Sequence, residues 1–242
     1  MSGKSKLFAA FILILVISSP TYAHLKIGTV YFDPPYVMSN QTGFDIRFVR
    51  LLCQHLKQSY SLMPMDYNAL FKAVATGKVD LAIGGISIGA GGVNFIYSIP
   101  YALSKGQFMV KGNYETIDDL TGKKVGLIRG SHDGGVYYNF LESAYPNKFV
   151  LVQYDDTDDL ITALNYNYIA AGFTHRSSVA YWTAHSGGHF KPLGKPMLVG
   201  SGIGIMASPN NVILMNEIDQ QILTITESPE YLNLYNTYFG DE

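Results

Sequence analysis

The chain has 242 residues, with 17 basic and 19 acidic side chains, 48% hydrophobic residues and one cysteine. That balance lacks the clustered basic excess of a nucleic-acid binder, and a lone Cys53 excludes an internal disulfide framework. The length suffices for one large domain or two small ones.

The N-terminus reads as a secretory signal over residues 1–23. Lys4 and Lys6 precede an apolar run from Leu7 to Ile17, and Thr21, Tyr22 and Ala23 form a small-residue end. The run is shorter than the roughly 20 residues that cross a bilayer. Cleavage near Ala23 leaves an exported chain starting at His24, with 15 basic and 19 acidic residues.

The elements then alternate. HLKIGTVY reads as a strand, and GFDIRFVRLLCQHLKQSY spaces Phe44, Phe48, Leu51, Leu52 and Leu56 as one face of a helix, with Asp45 near its positive end. SLMPM is a short strand, DYNALFKAVATG a helix stopped by Gly77, and VDLAIGGISI a buried strand. The same order recurs in KKVGLIRGS, GVYYNFLESAY, FVLVQY and DTDDLITALNYNYIAAGF. Laid without gaps, Asp66 to Gly84 matches Asp156 to Thr174, with Leu70 over Leu160, Ala73 over Ala163 and Val79 over Ile169. Two α/β lobes of similar plan are expected, each a mostly parallel sheet flanked by helices. The polar segment KGNYETIDDLTGKK separates them, and helices entered after Pro209 and Pro229 close the chain and could pack back on the first lobe.

The glycine-rich stretch Gly84 to Gly92 fails as a nucleotide loop. No Gly-Lys-Ser or Gly-Lys-Thr follows, and Asn94 stands where a dinucleotide fingerprint needs its third glycine. HSGGH places His185 and His189 in a glycine-containing loop without the Glu of a zinc-protease helix, so no metal and no cofactor are expected. Neither a serine nucleophile elbow nor a partnered cysteine is read in the chain. The run YDDTDDL reads as a capped helix start. What remains is a set of loops at the C-terminal ends of parallel strands, Tyr31 to Tyr36, Gly84 to Gly92, Arg129 to Gly135 and Phe173 to Ser177, the edge where open α/β sheets hold ligands. Facing lobes make a cleft between them.

The strings GTVYFDPPY, GFDI, DYNALFKAVATGKVDLAIGGISI, YSIPY, LTGKKVGLIRGS and YNTYFG, in that order over the mature chain, resemble the periplasmic solute-binding proteins of polar amino-acid ABC importers. The group includes the lysine/arginine/ornithine, histidine and glutamine binders. The resemblance implies a two-lobed, type II periplasmic-binding-protein-like fold with the ligand cleft between the lobes. Lobe 1 would comprise residues 24–110 plus 205–242 and lobe 2 residues 111–204, with crossings near Met109 to Asn113 and Val199 to Ile205. It further implies capture of a small polar solute, an amino acid with the basic ones among the candidates, and delivery to an inner-membrane ABC permease. The protein would be a periplasmic monomer without enzymatic activity.

Carried over by position, the resemblance assigns ligand contacts to Asp33, Tyr36, Tyr67, Gly85, Ile86, Ser87, Gly92, Arg129, Ser131, His132 and His175. In that family an Arg and a Thr hold the ligand's carboxylate and an Asp its ammonium. Here those positions are Gly92, His132 and His175, with Arg129 or Arg176 as candidate substitute cations and Asp33 as a candidate partner for a positive group. Two other readings stay open: a solute-binding module turned to a non-amino-acid ligand or a protein partner, and a dehydratase-like enzyme using His132, His175 and Asp33 as proton carriers.

Overall fold

The computed structural model describes residues 24–130 and 135–240. In chain order the elements are β1 (Leu25–Thr29), α1 (Phe44–Leu56), β2 (Tyr60–Pro64), α2 (Tyr67–Ala75), β3 (Leu81–Ala82), β4 (Ile96–Tyr97), β5 (Lys105–Val110), β6 (Lys124–Ile128), α3 (Gly135–Ala144), β7 (Val150–Tyr154), α4 (Thr157–Asn165), β8 (Ala171–His175), α5 (Arg176–His185), β9 (Lys191–Leu198), β10 (Met206–Ala207), α6 (Val212–Thr226) and α7 (Pro229–Phe239). They build two five-stranded sheets, ordered β2-β1-β3-β10-β4 and β7-β6-β8-β5-β9.

The internal repeat is a structural one. Helices α2 and α4 begin at Tyr67 and Thr157, the residues that the ungapped alignment superposes. Leu70 and Leu160 are fully buried, as are Val74 and Leu164 one turn further on. Each lobe starts as a parallel trio in which the crossover helix packs back on the sheet. β1 lies between β2 and β3, and β6 between β7 and β8.

A glycine in the central strand of each trio admits that helix. A Cβ on Gly28 would lie 2.9 Å from Leu70, and one on Gly126 would lie 2.5 Å from Ile169 and 3.1 Å from Leu160. Gly126→Val is therefore expected to overpack the second lobe and destabilise it by about 1–3 kcal/mol in urea unfolding; an unchanged midpoint would contradict that packing.

The sheets are mixed: each parallel trio is extended by one strand that runs against it, β10 or β5, and by an outer strand, β4 or β9, that pairs antiparallel with that one and so runs with the trio. β10 joins β3 and β4 in the first sheet, and β5 joins β8 and β9 in the second. This corrects the expected first crossing near Met109 to Asn113. Lys105–Val110 is a strand of the second sheet, so the chain leaves the first lobe earlier, through 98–104. That segment runs antiparallel to the returning segment 199–205. Tyr101 N–H donates to the Ile203 carbonyl (3.0 Å), Ile203 N–H to Ala102 (2.9 Å) and Val199 N–H to Ser104 (3.0 Å). The apolar run KGQFMV reads as the end of one lobe or the start of the next, and only pairing with β8 decides.

The C-terminal helices pack on α1 of the first lobe, where Phe44 lies 4.5 Å from the Phe239 ring and Phe48 stacks at 4.4 Å on Tyr101. Cys53 is buried in the same core, and burial pushes its thiol up to about 12. Helix α1 ends with Lys57 in the left-handed region, at φ 55°. Among the described residues no helix is long and apolar enough to cross a membrane. The signal segment 1–23 lies outside the described residues.

Candidate functional site

The loops that follow β1, β3, β6 and β8 converge between the two sheets and enclose a cavity of about 100 Å³. At roughly 10–15 Å³ per water-sized occupant, this holds several heavy atoms. From the first lobe the wall includes Phe32, Asp33, Tyr67, Gly85 and Ser87; from the second it includes Tyr137, Thr157, Asp158, Thr174 and His175.

Several hydrogen bonds cross from lobe to lobe. Thr157 Oγ1 donates to Asp33 Oδ1 at 3.0 Å. Ser177 Oγ donates to the Tyr36 hydroxyl at 2.9 Å, and Asn68 Nδ2 to Asp155 Oδ1 at 2.5 Å. The fourth involves His175, which is 5% exposed. Its Nε2 lies 2.8 Å from the Gly85 carbonyl, and its Nδ1 lies 2.5 Å from the Tyr137 hydroxyl. A carbonyl can only accept, so Nε2 carries the proton and, in the neutral ring, Nδ1 accepts from Tyr137. Burial pushes the imidazole down to about 4, against the opposing pull of the Gly85 carbonyl. His175 is thus a neutral latch between lobes, with both nitrogens engaged.

Two carboxyls beside this latch are perturbed. Asp33 is pushed up to about 7, chiefly by burial, with the Thr157 hydroxyl opposing and Asp45 and Asp158 adding to the rise. Asp45 is fully buried and is also pushed up to about 7, first by burial and against the Gly85 N–H, which donates to its Oδ2 at 2.7 Å. Gly85 has φ 63°, a left-handed conformation that glycine adopts freely, and a Cβ there would sit 3.0 Å from Asp33 Oδ2. One glycine therefore joins three parts of the site: its N–H goes to Asp45, its carbonyl to His175, and its bare α-carbon faces Asp33.

The residues expected from the sequence divide. Asp33, Tyr67, Gly85, Ser87 and His175 line the cavity. Tyr36 stands behind His175, ring centroids 4.9 Å apart. Ile86 is fully buried in the first lobe's core, because the residue after Gly85 points away from the cleft. Gly92 opens a short 3-10 turn and is absent from the cavity wall. Arg129 points outward, half-exposed, where its Nε pairs with Asp155 Oδ1 at 3.1 Å; it lines a neighbouring groove together with Lys72 and Gln153. Arg176 starts α5 and is likewise absent from the wall. Ser131 and His132 lie outside the described residues.

Contrary to the expectation of no serine nucleophile elbow, Gly85-Ile86-Ser87-Ile88-Gly89 has the Gly-x-Ser-x-Gly spacing. Ser87 is nevertheless no elbow nucleophile: it pairs with Ile203 in a β-bridge, and its hydroxyl lies 3.4 Å from that of Ser104. The histidine on the same wall, His175, already has both nitrogens engaged.

Tyr137, Thr157, Asp158 and Thr174 were not anticipated. For Thr157 a signal exists, since the ungapped repeat superposes it on Tyr67, a ligand position by the resemblance. Tyr137 carried no such signal, because nothing in GVYYNF says which of two adjacent tyrosines turns inward. Among the described residues, no group of His, Cys, Asp and Glu side chains is placed to hold a metal ion.

The sequence profile of the bacterial extracellular solute-binding proteins, family 3, matches residues 25–241. The ABC transporter arginine-binding protein 1 of Escherichia coli (strain K12) is 21% identical over 245 residues, covering 98% of this chain and 99% of its own. The histidine-binding periplasmic protein of the same strain is 23% identical over 257 residues, with 97% and 96% covered. Among solved structures, an arginine third transport system periplasmic binding protein from Legionella pneumophila superposes with a TM-score of 0.81 at 28% identity, covering 90% of this chain and 100% of that one.

Proposed function

This chain belongs to the bacterial extracellular solute-binding proteins, family 3, and from that membership we propose that it captures a small polar solute, in the class of amino acids, by closing its lobes in the periplasm. Relatives whose names carry arginine and histidine support that class, and the basic-apolar-small order of residues 1–23 supports export. The closed form is what an inner-membrane ABC permease would read, and the protein acts as a monomeric carrier rather than a catalyst. The observation that carries the reading is the cavity itself. It is enclosed by side chains from both lobes and bridged by Thr157–Asp33 and His175–Gly85, so filling it stabilises the closed arrangement over the open one.

Thermal unfolding of the purified protein, unfolded and refolded to strip bound solute, tests this against amino acids, amines and small anions. A true ligand at about 100 times its dissociation constant is expected to stabilise the fold by about 2.7 kcal/mol and raise the midpoint accordingly. If a folded sample ignores the entire panel, the solute-binding reading fails.

A further inference from the structure

The chemistry of the cavity wall is one-sided. Asp33 and Asp66 reach it from the first lobe, Asp156 and Asp158 from the second. No Lys or Arg stands among the described residues of the wall, and Arg129 is held outside it on Asp155. The wall's histidine adds no charge, because its proton sits on the Gly85 carbonyl and its other nitrogen takes the Tyr137 hydroxyl. Asp66 and Asp156 are N-cap residues of α2 and α4, so helix dipoles offset part of their charge. Asp33 has only a neutral hydroxyl donor, Thr157, and no ion-pair partner among the described residues. The rings of Phe32, Tyr67 and Tyr137 share the same wall, and aromatic faces attract a desolvated cation.

We propose that the captured solute is a small organic cation without a carboxylate, an alkylammonium or alkylguanidinium whose charged end is met by Asp33 and the surrounding rings. This rests on the solute-binding reading above and departs from it in one respect, replacing the amino acid by its decarboxylated amine. An ammonium or guanidinium supplies the positive partner that Asp33 lacks and can donate several hydrogen bonds at once. An α-carboxylate brought into the same small space would face acidic side chains with no fixed cation among the described residues to meet it, so the amino-acid form of a ligand is penalised against its decarboxylated form.

Isothermal titration calorimetry at pH 8, where Asp33 is ionised, compares two matched pairs on the refolded protein: agmatine with arginine, and cadaverine with lysine. Each pair shares its cationic end and differs by the carboxylate. The expected result is that agmatine or cadaverine binds at least tenfold more tightly than its carboxylated partner. Asp33→Asn and Asp158→Asn, separately, should then weaken that amine at least tenfold and threefold, in samples whose unfolding midpoints confirm folding. Arginine or lysine binding as tightly as its decarboxylated counterpart overturns the inference while leaving solute binding intact. So does a panel in which only neutral or anionic amino acids bind, or amine binding that neither variant weakens. If no small solute of any class binds, the broader reading falls with it.

Discussion

His175→Phe is expected to lower the stability of the ligand-free protein by about 1–3 kcal/mol and to shift it toward an open shape. Phenylalanine keeps a ring against Tyr36 and Tyr137 but removes both hydrogen bonds; the Tyr137 hydroxyl keeps Ser104 and Ser87 beside it, whereas the Gly85 carbonyl loses its His175 donor in a buried place. An orphaned group of this kind costs about 1–3 kcal/mol in a closed site. Opening the lobes returns the carbonyl to water, so part of the penalty should appear as a change in shape rather than as unfolding. Small-angle scattering then shows a larger radius of gyration for the variant, alongside a lower urea midpoint. A variant as compact and as stable as the parent would mean that the lobes are held by other contacts. Ser177–Tyr36 and Asn68–Asp155 are the next in line.

The second large effect is a stability that declines with rising pH. Asp45 is pushed up to about 7 in the fold, mainly by burial, whereas an unfolded aspartate loses its proton near 3.8. Between those values the unfolded chain releases a proton that the folded chain keeps, so stability falls as pH rises from about 4 to about 7 and levels off above. At 1.36 kcal/mol per pH unit the decline from Asp45 is at most about 4 kcal/mol. Asp33 shifts in the same direction over the same window, with a smaller share because it is only half-buried. Asp45→Asn keeps an oxygen to accept the Gly85 N–H and has no charge to bury. Urea unfolding of ligand-free protein from pH 5 to 8 should therefore give a flatter profile for the variant than for the parent. Coincident profiles would place the titration elsewhere. A cation bound beside Asp33 would stabilise its ionised form, so saturating ligand should also flatten the parent's decline.

Much of the architecture was legible because it depends on local patterns. The spacing of Phe44, Phe48 and Leu52 marks the buried face of α1 whatever packs on it. The ungapped match of residues 66–84 to 156–174 reads directly as two equivalent helix-strand units, since burial repeats at the same places. Gly85 and Ser87 are legible as cavity residues because their loop lies at the C-terminal edge of a parallel strand, where such sheets hold ligands, whereas Tyr67 is reached only by position through the family resemblance. Ile86 belongs to the core instead, since the chain turns through the left-handed Gly85 and the string alone does not say which of the neighbouring side chains then faces inward.

What the sequence by itself determined is the class of this protein: two similar α/β lobes, a cleft at their facing loops, and a family whose profile runs from residue 25 to 241. Hydrophobic period, turn residues and motif order are properties of neighbouring residues, and they survive in the string. Only the tertiary structure decided which lobe owns Lys105–Val110, that Arg129 faces away from the cavity, and that His175 is spoken for by Gly85 and Tyr137. Those outcomes depend on pairings across 26 (Arg129–Asp155) to 90 (Gly85–His175) residues of chain, and a histidine's charge is set by what surrounds it rather than by what adjoins it. The net charge of the chain is nearly balanced, yet the described wall of its cavity is acidic without a cation. Folding brings four aspartates from two lobes to one small space, and that placement is what a solute would meet.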